Sequence, residues 1–79
     1  MSYRLLYFAS LREAAGTAEE RIDASEADLR TLYARLAARH GFAWAPERLR
    51  VAVNGAFVDW DRPLVDGDEI AFLPPVSGG

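Results

Sequence analysis

Apolar residues in this chain come in short alternating or continuous runs, and only one stretch spaces them as a helix does. Residues 3–8 (YRLLYF) are aromatic and aliphatic with a single charge, which predicts a first, central strand partly covered on both faces. Residues 10–16 carry alanine and leucine and end in glycine, so one or two helical turns are expected before the chain reverses. Residues 19–23 then predict a short polar strand at or near the sheet edge. Ser25 and Asp28 have the spacing of a capping box, with aspartate in place of the usual glutamate. Good helix formers run from there to His40, and Gly41 is the expected stop. Leu29, Leu32, Tyr33, Leu36 and His40 fall on one face of that helix, and Arg30, Arg35 and Arg39 fall elsewhere, the pattern of an amphipathic helix laid across a sheet.

Residues 42–50 contain Trp44, Pro46 and mixed charges and predict a connector with at most a short helical turn. The strongest local signal follows: residues 49–53 and 56–59 flank Asn54-Gly55, the dipeptide of a type I′ hairpin. Arg62-Pro63 and Asp66-Gly67-Asp68 are turn chemistry, and residues 69–73 predict the last strand. The order strand, strand, helix, strand, strand, strand is the plan of an α+β roll of the β-grasp type. Its mixed sheet of four to five strands has one main helix packed across it, and the first and last strands lie side by side and parallel. Residues 1–73 make the domain and residues 74–79 an extended tail.

Composition narrows what such a domain can do. A domain of 79 residues buries only roughly 60% of its unfolded surface, so a deep pocket with its own catalytic machinery is not expected. Cysteine is absent, which removes disulfides, thiolate ligands and a thiol nucleophile together. The single histidine, His40, stands at a predicted helix end, where it favours the negative end of the dipole, and no metal site is expected. Net charge is −3 and all nine basic residues are arginine, which makes no nucleic-acid footprint. With no lysine, the chain also offers no side-chain amine to accept an isopeptide bond. The apolar run at residues 5–9 is broken by Arg12 and Glu13 well short of a signal sequence or membrane span, so a cytoplasmic protein is the expectation.

The chemistry left to the chain lies in its closing residues, Phe72-Leu73-Pro74-Pro75-Val76-Ser77-Gly78-Gly79. Adjacent prolines favour extended polyproline geometry, so the tail should leave the sheet as a semi-rigid arm, and six residues can reach about 20 Å at full extension. Glycines at the tip carry no Cβ and can pass through a channel too narrow for other residues. Gly79 supplies an α-carboxylate, a poor electrophile until activated; adenylation would make it an acyl donor, and attack by a persulfide would leave a terminal thiocarboxylate. A chance Gly-Gly in the last two positions is expected roughly once in 200 chains.

Three stretches together resemble a known family: Leu6-Tyr7-Phe8-Ala9-Ser10-Leu11-Arg12-Glu13, Val51-Ala52-Val53-Asn54-Gly55, and the run from Pro63-Leu64-Val65-Asp66-Gly67-Asp68 through Gly79. They resemble the small, sulfur-carrying subunit of molybdopterin synthase, an ubiquitin-like β-grasp family, over nearly the whole chain. The resemblance implies that Gly79 is adenylated by an E1-like activating enzyme, thiocarboxylated, and inserted into the large synthase subunit in a heterotetramer. There it gives sulfur to cyclic pyranopterin monophosphate to build the molybdopterin dithiolene. The chain is then a non-catalytic, sulfur-donating subunit with no cofactor of its own, ATP being used by the activating enzyme. Pro74, Pro75, Val76, Ser77 and Gly78 contact the partner in this picture. A sulfur carrier for thiamine biosynthesis and an ubiquitin-like protein modifier share the Gly-Gly tip and remain the alternatives.

Strand alternation predicts a docking face. Arg4, Leu6 and Phe8 share the side opposite Tyr3, Leu5 and Tyr7, and arginine marks the outer one. A two-residue turn at Asn54-Gly55 pairs Ala52 with Phe57, so Phe57 points away from the helix if Val51 and Val53 point to it. Ile70 and Phe72 point in and Leu73 out. Phe8, Phe57 and Leu73 are therefore expected to gather on the uncovered sheet face beside the root of the tail, as a protein interface. The acidic residues Asp59, Asp61, Asp66, Asp68 and Glu69 are expected to solvate turns or to meet a basic partner rim.

Overall fold

A computed structural model describes residues 1–75 of the chain. The strands are β1 (Ser2–Tyr7), β2 (Glu19–Asp23), β3 (Arg50–Val53), β4 (Ala56–Val58) and β5 (Glu69–Leu73), with helices α1 (Ala9–Ala15) and α2 (Leu29–His40) and a 3₁₀ turn at Pro46–Arg48. They form one sheet in the order β2-β1-β5-β3-β4. β1 and β5 are parallel, Leu5 facing Ile70 and Tyr7 facing Phe72, and every other neighbouring pair is antiparallel. This is the α+β, β-grasp arrangement that the order of elements predicts.

Alternation sets the core. Tyr3, Leu5 and Tyr7 of β1, Val51 and Val53 of β3, and Ile70 and Phe72 of β5 are buried together with Leu29, Leu32, Tyr33 and Leu36 of α2. Each aliphatic side chain so buried contributes about 1.5–3 kcal/mol of transfer free energy. The three core tyrosines keep their hydroxyls satisfied: Tyr3 donates to the Glu26 carbonyl at 2.7 Å, Tyr7 to Glu20 Oε1 at 2.6 Å, and Tyr33 to the Trp44 carbonyl at 2.7 Å. Among the described residues no buried side-chain nitrogen or oxygen lacks a partner.

The main helix begins later than its capping-box spacing suggests. Asp28 is the cap: its Oδ1 accepts from the Thr31 N–H at 2.7 Å and its Oδ2 from the Thr31 hydroxyl at 2.9 Å. Residues 24–28 stay outside the helix because their backbone is claimed from elsewhere. The Ala24 N–H donates to the Met1 carbonyl, the Ala27 carbonyl accepts from the Leu64 N–H, the Glu26 carbonyl accepts from Tyr3, and Asp28 bridges Pro63. β1 likewise stops at Tyr7, one residue early, because Phe8 serves as the cap of α1. The hairpin turns as predicted, with Asn54 at φ 53° and Gly55 at φ 85°, the two left-handed residues that a type I′ turn requires.

A polar hub ties the hairpin to the last strand. Asp68, only 5% exposed, takes Arg62 Nη1 at 2.7 Å and the Val65 N–H at 2.9 Å on Oδ2, and Asn54 Nδ2 at 2.9 Å on Oδ1. Asn54 closes the ring, its Oδ1 accepting from the Glu69 N–H at 3.0 Å and its own N–H donating to the Glu69 carbonyl at 2.8 Å. Burial alone would raise the Asp68 carboxyl, but the bonds from Val65, Arg62 and Asn54 outweigh it and hold the group below the ordinary aspartate range. A depressed carboxyl stabilises the fold above its unfolded pKa and loses that contribution as pH falls through the folded one. Asp68→Ala is therefore expected to cost about 2 kcal/mol in urea unfolding at neutral pH, because it strands Arg62 and Asn54. The deficit should shrink as the pH is lowered below about 4; an equal deficit at acid pH would contradict a charged hub.

Candidate functional site

Because β1 and β5 run parallel, their last residues lie at the same end of the sheet. The segment leaving β1 therefore stands beside the segment leaving β5. Phe8, Ala9 and Ser10 line one wall of a mainly apolar groove of about 550 Å³. Leu73, Pro74 and Pro75 line another, and Trp44 contributes from the connector after α2. Phe8 is 45% exposed, Leu73 and Pro74 are half-buried, and Pro75 is exposed.

The outer sheet face carries a second apolar feature. The registers place Leu6 beside Ala71, Ala71 beside Ala52, and Ala52 beside Phe57, a row that crosses four strands. The first three are half-buried and Phe57 is 60% exposed. The row is bordered by charge: Arg4 pairs with Glu19 at 2.7 Å and Glu69 at 3.3 Å, and the Arg50 guanidinium lies 4.2 Å from the Phe57 ring centroid. An uncovered apolar strip with a charged border is the usual make-up of a protein-binding surface.

The residues expected to gather thus divide. Phe8, Leu73, Pro74 and Pro75 share the groove. Phe57 belongs to a different concavity with Leu49, Arg50 and Trp60, separated from β5 by β3 and covered on one side by Arg50, which pairs with Leu73 in the sheet. Val76, Ser77, Gly78 and Gly79 lie outside the described residues. Sequence reasoning placed Leu6 on the outer side and paired Ala52 with Phe57 without assigning either Leu6 or Ala52 to the surface, and it missed Ala71 and Trp44. The register of β5 against β3 would have supplied Ala71, whereas the sequence gives no sign of Trp44's place beside the tail.

Several charged residues prove to be structural. Asp68 is the buried hub, Asp66 Oδ1 accepts the Ser2 N–H at 2.6 Å, and Glu69 pairs with Arg4, so a free acidic rim is reduced to Asp59 and Asp61. His40 is paired: its Nε2 lies 2.8 Å from Glu20 Oε1, which also accepts from Tyr7. Burial would raise Glu20, but the bonds from Tyr7 and His40 prevail and lower it, while desolvation and the Glu20 bond raise the Tyr7 phenol. Among the described residues no group of three His, Cys, Asp or Glu side chains could hold a metal ion, and no helix is long and apolar enough to cross a membrane.

Comparison with known proteins agrees with the fold and the tail together. Residues 5–79 match the ThiS family. The Escherichia coli molybdopterin synthase sulfur carrier subunit is 40% identical, across 96% of this chain and 98% of the relative. A solved Pyrococcus furiosus structure, described as a putative molybdopterin converting factor subunit 1, superposes with a TM-score of 0.78 at 34% identity, covering 96% of this chain and 99% of that one. The Helicobacter pylori complex of molybdopterin-converting factor subunits 1 and 2 contains a chain with a TM-score of 0.70 at 31% identity, each chain covered in full.

Phe57→Glu is expected to leave urea-unfolding stability within about 0.5 kcal/mol of wild type, because the ring lies outside the core. A loss well above 1 kcal/mol would show that Phe57 holds the hairpin in place and is not a free surface residue.

Proposed function

The chain belongs to the ThiS family, and from that premise we propose that it is the sulfur carrier subunit of a molybdopterin synthase, acting in the cytoplasm with its chemistry at Gly79. The observation that carries the reading is the full-length 40% identity to a relative bearing that name. The parallel β1 and β5 support it, since they send the tail off the sheet beside an apolar surface. A thiamine sulfur carrier or a protein modifier would use the same tip, but the curated relative points to the pterin pathway.

In this reading an E1-like activating enzyme joins the Gly79 carboxylate to the α-phosphate of ATP, releasing pyrophosphate. The terminal sulfur of a persulfide attacks the acyl carbon and AMP leaves. A thiol then reduces the S–S bond of the acyl disulfide, and a thiocarboxylate remains at the tip. The large synthase subunit receives the arm, its contacts drawn from the outer row, Phe8, Leu73 and residues 74–78. A complex between the two subunit types in the Helicobacter pylori relative supports such a partner. The thiocarboxylate sulfur attacks an acceptor carbon of cyclic pyranopterin monophosphate, the C–O bond at that carbon breaks and its oxygen leaves with a proton, and water then cleaves the resulting thioester, leaving the sulfur on the pterin and returning the carboxylate. Each loaded chain carries one sulfur, so a dithiolene consumes two loadings. No catalytic side chain is required of this domain, and ATP is consumed by the activating enzyme.

Two outcomes follow. Removing Gly79 should abolish dithiolene formation in a mixture of activating enzyme, ATP, persulfide donor, large subunit and pterin precursor, while the melting temperature stays that of wild type; product formed at the wild-type rate would end the proposal. Phe57→Glu should weaken large-subunit binding by roughly tenfold or more in calorimetry, as burying an uncompensated charge in an interface does. Unchanged affinity would remove β4 from the docking face.

A further inference from the structure

We propose that Trp44 is a positioning residue that fixes the direction of the C-terminal arm, an inference that rests on the carrier reading above. Trp44 belongs to no strand or helix, yet three parts of the fold hold it. Its Nε1–H donates to Ser10 Oγ at 2.9 Å, its carbonyl accepts from the Tyr33 hydroxyl at 2.7 Å, and the Arg48 guanidinium lies 5.5 Å from the ring centroid. The first contact comes from α1, the second from α2 and the third from the 3₁₀ turn. The half-buried indole so anchored lines the groove that Pro74 and Pro75 also line.

The arm needs such a support because of its own chemistry. Leu73 is the last residue of β5 and the last with a partner in the sheet, opposite Arg50. Pro74 and Pro75 have no N–H, so no backbone donor can continue the ladder through them, and side-chain packing gains weight in setting where they point. The groove they line is walled by Phe8, Ala9, Ser10 and Trp44, and Phe8 and Trp44 are its two large apolar side chains outside the arm and its root. Stiff prolines then carry the angle set at the root into the start of the arm. The direction in which the arm starts matters for a reacting group that must meet its acceptor within about 3–3.5 Å.

The opposite wall of the groove carries backbone strain. Ala9 sits at φ 51°, a left-handed conformation that costs an L-residue roughly 1–2 kcal/mol. Strain of this kind persists where the surroundings over-determine the conformation. Here it lies between Phe8, which faces the groove, and Ser10, which holds the indole.

The test compares full-length wild type, Trp44→Ala and Trp44→Phe. Carbon-13 relaxation of Pro74 and Pro75 reports whether the arm root is held, and single-turnover sulfur transfer at saturating large subunit reports whether the tip arrives. Trp44→Ala should increase the motion of both prolines and slow transfer roughly tenfold with the domain still folded, and Trp44→Phe, which keeps a ring in the groove, should retain most of both properties. Unchanged proline relaxation in folded Trp44→Ala overturns the proposal, as does altered relaxation with an unchanged transfer rate. If Trp44→Ala does not fold, Ser10→Ala, which removes only the indole's hydrogen bond, is read the same way with a smaller expected effect. A wild-type chain that never loads sulfur overturns the carrier reading instead, and the relaxation comparison then still decides whether Trp44 holds the arm.

Discussion

The parallel pairing of β1 with β5 is the constraint on which the working end of the molecule depends. It joins the first and last strands at the middle of the sheet, Leu5 beside Ile70 and Tyr7 beside Phe72, with all four side chains buried under α2. Two parallel neighbours must finish at the same end, so the exit of the chain is placed beside Phe8 and the start of α1. An antiparallel last strand would have released the tail at the other end of the sheet. Local contacts do not impose this pairing; a long crossover containing α2 is needed to bring the strands together.

β5 must also hold its register, and polar contacts do much of that work. The Asp68 carboxylate and the Asn54 amide join the hairpin turn, the loop before β5 and the first residue of β5 in one closed set of hydrogen bonds. A slip of one residue would turn Ile70 and Phe72 outward and break every one of these bonds. Apolar burial thus supplies the stability of the central strands, while the hub selects one register from those that burial alone would allow.

How much of this was legible in the sequence follows from how local each determinant is. Asn54-Gly55 specifies its turn through two residues that tolerate positive φ, and the hairpin was readable to within a residue. Residues 19–23 and 69–73 are bounded by turn chemistry and coincide with β2 and β5. The start of α2 was not legible, because bonds from Met1, Tyr3 and Leu64, all distant in sequence, hold residues 24–28 out of the helix. The expected docking surface was half legible for the same reason. Alternation gives the side on which Phe57 stands, but only the strand order reveals that β3 and Arg50 separate it from Leu73. Trp44 sits in an irregular connector with no periodicity to read, and the resemblance in the tail pointed past it to Gly79.

The central claim is that this fold exists to present a carboxylate for conversion to a thiocarboxylate, and one measurement addresses it directly. The intact mass of the purified chain should be recorded after incubation with an E1-like activating enzyme, ATP, a persulfide donor and a reducing thiol. The account predicts a gain equal to the exchange of one oxygen for one sulfur, located by fragmentation at Gly79. An unchanged mass, with the same enzyme loading a known carrier in parallel, would contradict it.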